Sequence, residues 1–140
     1  MSRTGPGRQL RWLALDVVLV LGFAAAGRAT HEQAATVTGA LLTGWPFLVG
    51  TAAGWGLVRT LRRRWPLEVG PGITVWFVTV GGGMVLRHLT GQGTAWPFVL
   101  VAGATLAVLL LGWRALRQWR HRGYAAHPAA RVGEPSRGAR

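Results

Sequence analysis

Apolar residues are gathered into four long runs, and most polar residues lie in the segments between and around them. A helix needs about 20 predominantly apolar residues to cross a hydrocarbon core about 30 Å thick. None of the runs alternates between apolar and polar positions, which excludes the strands of a membrane barrel. The pattern therefore predicts an all-α, four-helix transmembrane bundle with helices at about residues 10–27, 37–58, 72–90 and 95–120.

The segments outside the runs complete the predicted organisation. Residues 1–11 are expected to form a cytoplasmic N-terminal segment, and residues 12–122 the transmembrane domain. Residues 114–120 continue the fourth helix with apolar and basic positions three apart, which is typical of a helix at an interface with anionic head groups. Residues 123–140 are rich in Gly, Pro, Ala and Arg, so we expect a disordered cytoplasmic tail.

The arginines predict how the helices are oriented. Fourteen of the sixteen lie before the first run, between the second and third runs, or after the fourth run. The other two connections hold only Arg28 and Arg87. Because basic residues are retained on the cytoplasmic side, we expect both termini to face the cytoplasm of a multi-pass protein in the cell membrane.

A cleaved signal peptide is an alternative interpretation of the first run. Arg11, the apolar stretch and the small residues 24–26 have the features of such a peptide. Cleavage would leave three helices with the same orientation. Asp16 inside the stretch argues against cleavage, as does the internal repeat described below, but the alternative stays open.

Composition agrees with a membrane protein and excludes several other classes. Half of the residues are hydrophobic and only 14% are charged, whereas charged residues make up roughly a quarter of soluble domains. The net charge of +12 comes from arginines that flank the apolar runs, so no folded basic face is left for nucleic acid. The chain has no cysteine, which excludes disulfides and thiolate chemistry.

A short internal repeat suggests two helical hairpins. Trp45-Pro46-Phe47 recurs as Trp96-Pro97-Phe98, each time two residues after a threonine and at the outer start of an even-numbered helix. Each odd-numbered helix ends in arginine and histidine, namely Arg28 with His31 and Arg87 with His88. Proline fits the first turn of a helix, and tryptophan suits the membrane interface. The two hairpins form a parallel repeat, which predicts a pseudo-twofold axis along the membrane normal.

Small residues predict which helix faces pack closely. Gly50 and Gly54 form a small-xxx-small face on the second helix, and Gly81, Gly82 and Gly83 allow close backbone approach on the third. We expect these two faces to touch.

In combination, these features resemble an uncharacterised, domain-of-unknown-function family of small prokaryotic four-helix membrane proteins. The resemblance spans about residues 13–114 and leaves out both tails. The residues that carry it are Asp16, Gly27-Arg28, His31, Trp45-Pro46-Phe47, Trp76, Gly83-Met84, Arg87, Gly91-Gln92-Gly93-Thr94, Phe98 and Gly112-Trp113-Arg114. It implies membership of the family, with no activity attached.

Ionisable residues inside membrane helices are costly and are therefore candidates for function. Asp16 lies about one turn from the predicted cytoplasmic boundary, within reach of Arg59 or Arg114. One interpretation is a structural intramembrane ion pair, and the other is a proton or cation relay.

A second candidate site lies at the predicted outer face. Two arginines, two histidines and two tryptophans would converge there with the starts of the second and fourth helices: Arg28, His31, Arg87, His88, Trp45 and Trp96. Helix N-termini and arginines favour an anion, and histidine would make its binding depend on pH. The alternative is that the arginines extend to phosphate head groups and the histidines are solvated.

The sequence leaves two classes of function open. It shows no catalytic triad pattern and no metal-binding spacing, so we expect no enzyme, no metal and no cofactor. The first class is a non-catalytic accessory or assembly protein, and the alternative is a small transporter or channel-like protein for an anion or a proton-coupled solute. Expected partners are the lipid bilayer with anionic lipids at the inner face, another copy of the chain or another membrane protein, and no nucleic acid.

Overall fold

The computed structural model describes residues 6–29 and 36–125, and all of its regular structure is helical. The four helices are α1 (Pro6–Ala29), α2 (Val37–Arg62), α3 (Val69–Leu89) and α4 (Trp96–Ala125). Each is long and apolar enough to cross a membrane, and the described ranges contain no strand. The predicted all-α, four-helix architecture is confirmed.

All four helices extend beyond the predicted apolar runs, and α3 does so at its start, which lies at Val69 instead of residue 72. Helix α1 begins at Pro6, inside the segment that was expected to precede the bundle, and proline is a favourable first-turn residue. Helix α2 continues one turn beyond its apolar run to Arg62, and α4 reaches Ala125, past the predicted start of the tail. Polar residues at a helix end still form main-chain hydrogen bonds, so hydropathy alone underestimates helix length. The rest of the predicted tail, residues 126–140, and residues 1–5 lie outside the described ranges.

Each helix packs on its neighbours in the sequence, and α1 packs on α4 to close the bundle. Consecutive helices therefore form hairpins, as the repeat predicted. The most extensive contact joins α2 to α3, whereas α1 and α4 touch over a much smaller area. The predicted pseudo-twofold axis would make the α2–α3 contact equivalent to the α1–α4 contact. In the structure these two contacts are very different in extent.

Close packing of α2 on α3 depends on glycine. A Cβ atom added at Gly50 would lie 2.8 Å from the Thr79 carbonyl oxygen, and one added at Gly54 would lie 2.9 Å from the Val75 Cα. Thr51 lies between the two glycines and shares a 3.1 Å hydrogen bond with Thr79 across the interface. The two glycines therefore bring the backbones close enough for a hydrogen bond between buried hydroxyl groups.

The third helix uses only some of its glycines for packing. Gly83 lies directly under the ring of Phe47, and Gly82 lies near the Gly50 Cα. Gly81 has open space where a Cβ would be. Five glycines were expected at the contact between α2 and α3. The structure places Gly50, Gly54, Gly82 and Gly83 on the face that packs, whereas Gly81 lies off it.

The middle of the bundle is filled with apolar side chains from all four helices. Val20, Phe47, Leu106 and Leu110 are fully buried, and Trp76 packs against them. The Trp76 indole N–H also donates a 3.0 Å hydrogen bond to the Gly103 carbonyl of α4. This bond explains a tryptophan that lies inside its helix, away from the interface where tryptophan is usually enriched.

The two Trp-Pro-Phe motifs occupy different positions in their helices. Pro97 lies in the first turn of α4, as expected, but Pro46 lies inside α2, because that helix begins at Val37. The Thr36 hydroxyl caps α2 by accepting a 3.1 Å hydrogen bond from the Gly39 N–H. The expectation that both motifs start a helix is therefore wrong for Trp45-Pro46-Phe47.

Candidate functional site

The strongest concentration of charge in the bundle is a buried pair between α1 and α4. The Arg114 Nη2 atom lies 2.7 Å from Asp16 Oδ2, and Nη1 lies 3.0 Å from Asp16 Oδ1. Both side chains are 0% exposed. Two parallel bonds of this kind match the planar fork of a guanidinium to the two oxygens of a carboxylate.

Two tryptophans complete the hydrogen bonding of the carboxylate. The Trp55 indole N–H donates to Asp16 Oδ2 at 2.8 Å, and the Trp113 indole N–H donates to Asp16 Oδ1 at 2.9 Å. Each carboxylate oxygen thus accepts one bond from arginine and one from an indole. Asp16 is held by α2 as well as by α4, and its capacity to accept hydrogen bonds is filled.

The Arg114 side chain also donates hydrogen bonds to two main-chain carbonyl groups. Its Nε donates a 2.8 Å hydrogen bond to the Pro66 carbonyl in the α2–α3 loop, and Nη1 also donates to the Leu110 carbonyl one turn earlier in α4. A Cβ atom added at Gly72 would lie 2.5 Å from the Arg114 Cδ. Glycine at the start of α3 therefore leaves the space that the arginine occupies, and all four helices contribute to the site.

A column of stacked side chains extends from the pair towards the end of the bundle. The Arg114 guanidinium lies 4.3 Å from the centre of the Trp113 ring. Trp113 stacks on Trp12 with ring centres 4.8 Å apart and planes inclined by 4°. Arg117 lies 5.5 Å from the centre of the Trp12 ring, on α4 beside Arg114. Cation–π contacts and ring stacking each stabilise such an arrangement by about 0.5–1.5 kcal/mol.

This geometry is that of a structural clamp. Desolvating two charges is costly, and the cost is offset only where geometry is good and the remaining donors and acceptors are bonded. The Asp16 carboxylate meets both conditions, and four of the five N–H donors of Arg114 are bonded. The clamp joins α1 to α4, the pair of neighbouring helices with the smallest contact, and it also ties both to α2 and to the α2–α3 loop.

Arg59, the other arginine considered as a partner of Asp16, lies elsewhere. Its side chain is exposed, and the guanidinium lies 5.0 Å from the centre of the Trp65 ring. Within residues 6–29 and 36–125, only Arg114 forms an ion pair with Asp16.

The residues of the predicted outer site do not form one shared site in the described part of the chain. Arg87 is buried and directed into the α3–α4 loop, where it donates to the Gln92 side chain at 3.0 Å and to the Gln92 and Gly93 carbonyls. It also lies 4.5 Å from the centre of the Phe98 ring. These contacts give Arg87 a structural role in holding the loop between the helices.

The other arginine of the predicted outer site is held by a different helix. Arg28 donates a long 3.4 Å hydrogen bond to the Thr43 hydroxyl and packs against Gly39 near the start of α2. His88 and Trp96 are exposed, Trp45 is half-buried, and His31 lies outside the described residues.

The sequence did not reveal several members of the clamp. Trp55, Trp113 and the Pro66 carbonyl all bond to the pair, and Gly72 makes room for it. Tryptophans near helix ends are common in membrane proteins, so their positions alone did not distinguish an indole that donates to Asp16 from one that faces head groups. Within residues 6–29 and 36–125, no group of three His, Asp or Glu side chains could hold a metal ion.

Comparison with known proteins identifies a family. A family model described as "Protein of unknown function (DUF3054)" matches residues 13–117, which include all of α2 and α3, most of α1 and α4, and both members of the buried pair. The match confirms the resemblance drawn from the sequence. No curated protein and no solved structure matches the chain.

Proposed function

The chain belongs to the DUF3054 family of proteins of unknown function, and we propose that it is a non-catalytic accessory or assembly protein of the cell membrane. On this proposal the bundle acts through its surfaces, by contact with lipid, with another copy or with another membrane protein, and it carries no solute through its own centre.

The main support for this proposal is the hydrogen bonding of the buried Asp16 carboxylate. A relay or transport site needs a carboxylate that exchanges its partners with water or a substrate during each cycle. Asp16 is 0% exposed and accepts four hydrogen bonds from three side chains. Release of Arg114 would leave the buried carboxylate charge without compensation, so the carboxylate is suited to a permanent structural role.

The rest of the bundle interior supports the same proposal. Deeper than Asp16, the buried polar side chains near the middle of the described helices are Thr51 and Thr79, which bond to each other. Large apolar side chains point outwards instead, including Val18, Leu42, Phe77 and Val108, each more than 60% exposed. These outward faces suit contact with lipid or with another apolar helix.

Flux measurements on reconstituted protein test this proposal. We expect vesicles containing the full chain to conduct protons and chloride no faster than protein-free vesicles when a potential is imposed, because the centre of the bundle offers no exchangeable group. A pH-sensitive dye and a chloride-sensitive dye inside the vesicles report the two fluxes, and an added ionophore verifies each response. Flux that appears with wild type and disappears with Asp16→Asn would overturn the proposal and favour a transporter.

We also propose that both termini of the chain and the α2–α3 loop face the cytoplasm, as the arginine distribution indicates. The chain contains no cysteine, so single cysteines can be introduced without background labelling. In intact cells, an impermeant thiol reagent is expected to label Ala95→Cys in the α3–α4 loop, whereas Arg64→Cys in the α2–α3 loop reacts only after the cells are opened. Both positions are exposed in the structure, so a reversed pattern means a reversed orientation.

A further inference from the structure

A cavity of about 380 Å³ lies beside the clamp, at the end of the bundle that carries the α2–α3 loop. Three arginines line it, Arg62, Arg64 and Arg117, together with Trp65 and Glu68. Three guanidinium groups against one carboxylate give the walls an excess of two positive charges. The volume is within the range of about 300–1,000 Å³ that is typical of small-molecule sites.

Two of the arginines have guanidinium groups that are available to a ligand. Arg62 and Arg64 are exposed, and among residues 6–29 and 36–125 neither guanidinium has a hydrogen-bond or ion-pair partner. Glu68, on the same wall, forms no ion pair with any of the three arginines in the described structure. The positive charge of the cavity is therefore not neutralised by the protein itself.

The third arginine is held in place. Arg117 donates a 2.9 Å hydrogen bond to the Leu67 carbonyl, and its guanidinium lies against the Trp12 ring. One hydrogen bond and one stacking contact leave most of its N–H donors unused. The cavity thus combines one oriented guanidinium with two that are free to move onto a bound group.

The start of α3 adds to the positive potential. Glu68 occupies the N-cap position of that helix, but its side chain makes no capping hydrogen bond. The first N–H groups of a helix carry partial positive charge when no side chain caps them. Pro71 and Glu68 both line the cavity, so this helix start lies on its wall.

From these observations we propose that the cavity binds a phosphate group, presented by an anionic lipid head group or by a soluble phosphate compound. Guanidinium groups bind phosphate oxygens through paired hydrogen bonds, and basic pockets at the end of a transmembrane bundle are suited to anionic head groups. The three arginines outnumber the one carboxylate of the lining, so the walls attract a phosphate group that carries one or two negative charges. This inference does not depend on whether the bundle conducts ions.

Native mass spectrometry of the full chain in detergent tests the lipid arm of the proposal. Phosphatidylglycerol and phosphatidylcholine with the same acyl chains are supplied in equal amounts. We expect retention of phosphatidylglycerol in preference to phosphatidylcholine, and binding about tenfold weaker in Arg64→Gln and in Arg117→Gln, because each removes charge-assisted hydrogen bonds. Glu68→Gln is expected to strengthen binding. Arg64 lies in an exposed loop position, so its replacement is expected to leave the fold intact, which circular dichroism verifies.

The matched control is Arg120→Gln, which removes the same charge from an exposed position at the same end of α4 but outside the cavity. It is expected to bind like wild type.

Competition with inorganic phosphate distinguishes the two sources of the ligand. Displacement of lipid at millimolar phosphate assigns the site to the phosphate group alone, and no displacement assigns it to a lipid head group. Equal retention of both lipids, or equal loss of binding in Arg64→Gln and Arg120→Gln, would overturn the proposal.

Discussion

Arg114→Gln is expected to lower the free energy of unfolding by about 3–5 kcal/mol, the largest effect of any single substitution considered for this protein. The cost arises because Asp16, which is 0% exposed, loses both of its bonds to a positive charge and remains buried. The two indole N–H donors stay in place but carry no net charge. Thermal unfolding of the purified protein in a mild detergent, followed by circular dichroism, measures the loss.

The matched control for this prediction is Arg120→Gln, in the same helix but on an exposed position. Its effect on the free energy of unfolding is expected to stay within about 0.5 kcal/mol, as for most surface substitutions. Similar unfolding temperatures for the two variants would mean that the Asp16–Arg114 pair does not hold the bundle together.

Gly50→Ala is expected to destabilise the bundle by about 1–3 kcal/mol through overpacking at the α2–α3 interface. The added methyl group would meet the Thr79 carbonyl oxygen at 2.8 Å and the Thr79 Cα at 2.9 Å. These are main-chain atoms, so the clash is relieved only if the helices separate. Separation would also break the hydrogen bond between Thr51 and Thr79. Gly50→Leu is expected to prevent close packing of the two helices.

Gly56→Ala provides the comparison on the same helix. Gly56 is exposed, and an added Cβ meets nothing within 4 Å. Alanine is the better helix former by about 1 kcal/mol, so this variant is expected to be as stable as wild type or slightly more stable. The same thermal measurement compares the two variants. Equal thermal stability of Gly50→Ala and Gly56→Ala would mean that α2 and α3 do not approach each other closely at Gly50.

The sequence predicted the number of helices, their approximate positions and the faces of α2 and α3 that meet, because long apolar runs and glycine spacing are local features. It did not predict which face of α1 or α4 is buried. Apolar residues surround both helices, so hydrophobicity does not separate a lipid-facing side from a core-facing side. Between Trp96 and His121, the buried positions of α4 are Ala102, Leu106, Leu110 and Arg114, spaced four apart, and they emerge only when the helices are packed.

For the candidate sites, too, the sequence did not predict which residues come together. Arg59 and Arg114 both lie near the end of a helix and within plausible reach of Asp16, and the rotation of each helix decides which of them forms the pair. At the other end of the bundle, the repeat placed Arg28 and Arg87 in equivalent positions. The structure gives them different partners: Arg87 donates to the Gln92 and Gly93 carbonyls of the α3–α4 loop, whereas Arg28 donates to the Thr43 hydroxyl of α2.

Asp16 and Arg114 act as one structural unit only if their contributions to stability are coupled, which a double-mutant cycle measures. Asp16→Asn, Arg114→Gln and the double variant are compared with wild type by unfolding in the same detergent. We expect the double variant to be more stable than the sum of the single effects implies, by about 2 kcal/mol or more, since a neutral pair leaves no uncompensated charge. Strictly additive effects would mean that the two residues are not coupled.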